Sequence, residues 1–114
     1  MDNFDKEHYK DLKRYMKDDG VKSVSVEYAG GMFGNGVTIV YQPMTEGSDN
    51  RMVAVSVSYC SPEDRFKKRV GKYQAYLKFL RGEFIQLPLG QILQSLDRSD
   101  FESILIEMFS PSTL

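Results

Sequence analysis

At 114 residues and a net charge of −1, the chain is long enough for one domain with a single core and too short for a second catalytic domain. Apolar residues make up 41% and charged residues 27%, which excludes a disordered chain, and no apolar run approaches the ~20 residues of a membrane span. One cysteine and one histidine exclude an internal disulfide and the usual Cys/His zinc site, and 15 basic against 16 acidic side chains argue against a chain that coats nucleic acid along its whole surface.

The start, Met1-Asp2-Asn3-Phe4-Asp5, has neither a basic opening nor an apolar stretch, so no signal peptide and a cytoplasmic location are expected. A first helix is predicted over about residues 3–19, with Phe4, His8, Leu12 and Tyr15 on its inner side. Gly20 suits the left-handed position that closes such a helix. Three strands follow: Val24, Val26 and Tyr28 alternate with Ser23, Ser25 and Glu27; Val37, Ile39 and Tyr41 with Thr38, Val40 and Gln42; Val53, Val55, Val57 and Tyr59 with Ala54, Ser56, Ser58 and Cys60. Such alternation predicts one buried face and one wetter face. Turn-rich connections between them predict an antiparallel meander. The small polar side chains of the wetter face suit either solvent or a homodimer contact.

Ser61-Pro62-Glu63-Asp64 combines a capping serine, a proline at the first helical position and acids at the positive end of the dipole. It predicts a helix over 62–81, with Phe66, Val70, Tyr73, Leu77 and Leu80 as its apolar stripe. Gly71 inside this helix costs about 1 kcal/mol relative to alanine, and a close approach to the sheet would explain it. Phe84 to Leu89 is extended, and Pro88 restricts it to an edge or ends it at Leu87. A short helix over Gly90 to Leu96 comes next. A last helix opens at Ser99-Asp100-Phe101-Glu102, with Phe101, Ile104, Leu105 and Met108 inward. The expected fold is a single α+β domain over 1–114: a three-stranded antiparallel meander with two helices on one face (α-β-β-β-α) and a short C-terminal helical extension.

The near-neutral total hides an uneven map. Residues 61–82 carry seven basic side chains against two acids, and residues 83–114 carry five acids and one base. On a continuous helix, Arg65, Lys68, Arg69 and Lys72 share a flank beside Tyr76 and Phe79. Such a flank holds an acidic protein partner, or binds phosphates and stacks bases, or is a solvated face. The stretch Gly30-Gly31-Met32-Phe33-Gly34-Asn35-Gly36 lacks a helix to receive a phosphate. It reads as a long hairpin loop, or as a tip that offers Met32 and Phe33 to a partner's pocket. His8 and Cys60 supply no third orienting group, so no catalytic residue is assigned, nor any metal or cofactor ligand.

The segment Tyr59-Cys60-Ser61-Pro62-Glu63-Asp64-Arg65-Phe66-Lys67-Lys68-Arg69-Val70-Gly71-Lys72 resembles a stretch found in small, mostly uncharacterised proteins of bacteriophages and prophages. That resemblance covers about one-eighth of the chain and implies a viral origin and a host factor as the target. The order α-β-β-β-α, with Lys67-Lys68 and Lys72 at the start of the last helix, is similar to the double-stranded RNA-binding domain. There such lysines contact phosphates. The departures are the acids Glu63 and Asp64 beside those lysines and the acidic tail from Glu83. The reading that results is a non-enzymatic, phage-encoded protein that binds and occludes a host protein through Arg65, Lys68, Arg69, Lys72, Tyr76, Phe79, Met32 and Phe33. The alternatives are a nucleic-acid-binding module using helix 62–81, and a structural or accessory dimeric protein.

Overall fold

The structure, a computed structural model, describes residues 6–27 (side chains from Lys10 onward), 36–44, 51–61, 63 and 65–110. In chain order they form α1 (Lys6–Asp18), β1 (Lys22–Glu27), β2 (Gly36–Pro43), β3 (Val53–Cys60), α2 (Lys68–Leu80), β4 (Ile85–Leu87), α3 (Gly90–Ser95) and α4 (Arg98–Phe109). The fold is α+β. Its sheet has four strands in the order β1-β2-β3-β4, every neighbour antiparallel.

The meander is thus one strand wider than the sequence predicts. Ile85 lies opposite Val55 and Leu87 opposite Val53, so the extended piece after α2 satisfies backbone groups that β3 would otherwise leave at the edge. It stops where Pro88 has no N–H to offer.

A second correction concerns the helices. Both faces of the sheet are covered, not one. On β2, Val37, Ile39 and Tyr41 point into a cluster with Val53, Val55 and two residues of α4, Phe101 and Leu105. The alternate residue Val40 points the other way, into a cluster with Leu12 and Met16 of α1, Val21, and Ala75 and Tyr76 of α2. The C-terminal helices are therefore the cover of the more apolar face. The α1–α2 pair lies on the face that carries hydroxyls. Thr38, Ser56 and Ser58 are buried and each has a partner: half-buried Ser25 donates to Thr38 Oγ1 at 3.1 Å, Ser56 to the Glu83 carbonyl at 2.9 Å and Ser58 to Gln74 Oε1 at 3.2 Å. Paired this way, a hydroxyl avoids the penalty of burial without a hydrogen bond. At Thr38, Ser56 and Ser58 the wetter face is therefore an internal layer rather than solvent or dimer surface.

Small residues make that layer possible. Gly71 lies so close to β2 that a Cβ would collide with the Thr38 side chain, and a Cβ on Gly36 would collide with the Phe66 ring. Phe66 is seated beside both glycines, and this fixes the approach to α2. The helix starts at Lys68 rather than at Pro62, with Lys67 at the N-cap position and no side-chain cap. Ser61 does accept an N–H, from Glu63 at 3.3 Å, but this closes a local turn only.

Helix sides shift accordingly. The buried residues of α2 are Ala75 and Tyr76, while Leu80 is 59% exposed. In α1 the buried pair is Leu12 and Met16, and Tyr15 is exposed. α4 begins at Arg98, one residue before the expected cap, and Asp97 at its N-cap makes no side-chain bond. Phe101 and Leu105 are buried as expected, whereas Met108 is exposed. Gly82 closes α2 at φ 82°. Its N–H donates to the Phe79 carbonyl and the next N–H to the Lys78 carbonyl, a Schellman ending. Among the described residues no helix is long and apolar enough to cross a membrane.

Candidate functional site

The late start of α2 redistributes the basic residues. Arg65 and Lys67 fall on the irregular approach, and Lys68, Arg69 and Lys72 on the helix. They do not share one helical flank.

Lys72 is half-buried on α2. Burial lowers its pKa, and the positive charges of Lys13, Lys68 and Arg98 lower it further. Lys13 and Lys68 are exposed, so the seam between α1 and α2 presents cations drawn from two elements. Lys13 was not singled out from sequence. The signal was there, because Lys10, Lys13, Arg14 and Lys17 recur along α1 and all are exposed. Arg69 is exposed on α2.

Of the aromatic members of the expected flank, Tyr76 lies inside and Phe79 is half-buried. Tyr76 is 2% exposed and its hydroxyl donates to Asp19 Oδ2 at 3.2 Å. Burial, reinforced by the Asp19 carboxylate, pushes this phenol up to about 12. Phe79 is half-buried and stacks on Tyr76, ring centres 6.3 Å apart, with Phe84 on its other side at 5.2 Å. Tyr76 is thus a core residue and leaves the set available for docking, because the Gly71–Thr38 contact rolls this side of α2 onto the sheet. Met32 and Phe33 lie outside the described residues.

Arg65 and Lys67 line a cleft of about 430 Å³ beside β3, together with Thr38, Ser58, Phe66 and Gln74. Cys60 is also in its wall, with its thiol directed to the Ser61 carbonyl at 3.6 Å. The His8 side chain lies outside the described ones. No group of three or more His, Cys, Asp or Glu side chains converges as a metal site among the described residues.

On the opposite face, Tyr41 is fully buried and donates to Glu102 Oε2 at 2.8 Å, the oxygen that also accepts from Arg98 Nε at 3.1 Å. Burial, then Glu102, pushes the Tyr41 phenol up, and the hydrogen bond to Glu102 raises Arg98. This triad pins α4 to the sheet. Comparison with protein-family models, with curated proteins and with solved structures finds no match to this chain.

Proposed function

We propose that the chain is a non-enzymatic binding protein that docks its α1–α2 face on an acidic surface of a partner protein and occludes it. The observation that carries this reading is that Lys72 feels the positive charges of Lys13 on α1 and Lys68 on α2, both exposed, with Arg69 exposed on the same helix. Cations presented from two helices steer the encounter with an anionic surface. The resemblance of residues 59–72 to small phage proteins supports a bacterial host protein as the partner. Half-buried Phe79 adds apolar area at the end of the same helix.

The test has two parts. The tagged chain is used to capture a partner from bacterial lysate, and the purified partner is then titrated with the chain and with its Lys68→Glu/Arg69→Glu variant. Reversing two charges is expected to weaken binding by about tenfold or more, mainly through slower association. An unchanged affinity would sink the reading. So would retardation of RNA or DNA in a low-salt gel shift with a steep salt dependence, the signature of phosphate contacts.

A further inference from the structure

We infer that the cleft beside β3 is a binding site for a small phosphorylated ligand, its phosphate gripped by Arg65 and Lys67. The volume of about 430 Å³ is within the range of roughly 300–1,000 Å³ of small-molecule sites. It leaves room beside a phosphate for an organic remainder. The described lining favours an anion. Arg65 and Lys67 are both cationic, and no carboxylate is among the described residues that line the cleft. A cationic ligand would meet repulsion there. An apolar one would cover the amide of Gln74 and the rim of charged groups without replacing their water.

The two cations also sit on a fixed backbone. Phe66, between them in sequence, is seated against Gly36 and Gly71, so the segment that bears both charges is fastened to the sheet before any ligand arrives. Pre-ordering of this kind lowers the entropic cost of binding. The guanidinium supplies a planar two-pronged grip on phosphate oxygens and the ammonium a point charge beside it. Phe66 and Val70, both lining the cleft, give the organic part an apolar surface. The site stands apart from the docking face, which uses Lys13, Lys68, Arg69 and Lys72.

The experiment titrates the full chain with adenosine 5′-monophosphate and with inorganic phosphate at low ionic strength, by calorimetry and by amide chemical-shift mapping. Saturable binding is expected, tighter for the nucleotide, with the largest shifts at Ser58, Phe66 and Gln74. The Arg65→Gln/Lys67→Gln variant is expected to bind about tenfold or more weakly, because two charge-assisted contacts are lost. Arg81→Gln, which removes an exposed cation paired with Glu83 outside the cleft, is expected to bind as the parent does. Absence of saturable binding by either probe would overturn the inference. An equal loss in Arg81→Gln would do so too, because general charge and not the cleft would then be responsible. Equal affinity for the two probes would overturn the claim of an organic remainder.

Discussion

Two phenols are held above their ordinary range, and both favour the folded chain below that range. Tyr76 has its hydroxyl held up to about 12, against an ordinary value of 10, by burial and by Asp19. Tyr41 is raised in the same direction by burial and by Glu102. A folded-state pKa above the unfolded one means that the unfolded chain releases its proton first as pH rises. Stability from Tyr76 is therefore full below 10 and is lost progressively toward 12. Urea denaturation across that interval is expected to show a falling midpoint, and Tyr76→Phe, which has no proton to lose, a shallower fall. A midpoint equally steep in the variant would assign the alkaline loss to other groups.

At the scale of elements, α2 is held by contact rather than by caps. Its N-cap residue makes no side-chain bond, and Gly71 meets the Thr38 side chain directly. Gly71→Ala is expected to destabilise the protein by about 1–3 kcal/mol through overpacking, even though alanine favours a helix by about 1 kcal/mol. Chemical denaturation measures the sum, and a more stable variant would mean that the helix can lift off the sheet at little cost. The same contact explains what the sequence discloses and what it conceals. Period-two alternation placed β3 at the same bounds that the structure has, and the positive-φ glycines marked the ends of α1 and α2. The start of α2 was not legible. Ser61-Pro62-Glu63-Asp64 is a good local capping signal, but seating Phe66 between Gly36 and Gly71 outweighs it. Nor was the sidedness of the sheet legible, because Thr38, Ser56 and Ser58 look wet in sequence and become dry only through Gln74, Glu83 and Ser25. The candidate site was half legible for that reason: the basic residues were visible, whereas their division between a cleft and a seam depends on where the helix begins.

At the scale of the whole molecule, the two clusters divide the work. The one under α1 and α2 is built from the first 80 residues, and the one under α4 needs Phe101 and Leu105. A chain ended at Gly82 keeps β1, β2, β3 and both N-terminal helices but uncovers Val37, Ile39, Tyr41, Val53 and Val55. It is expected to bind a hydrophobic dye and to lose a sharp unfolding transition. Sharp unfolding without dye binding would mean that the N-terminal half is a domain by itself.

The bond between Tyr41 and Glu102 spans 61 positions, and it has a consequence for biosynthesis. Chains emerge from the ribosome N-terminus first, at roughly 5–20 residues per second. The valine-rich middle strand therefore waits for several seconds with one side bare, until the last helix clears the exit tunnel. During that interval the nascent chain exposes apolar surface, and slow codons placed before α4 would lengthen its exposure to aggregation.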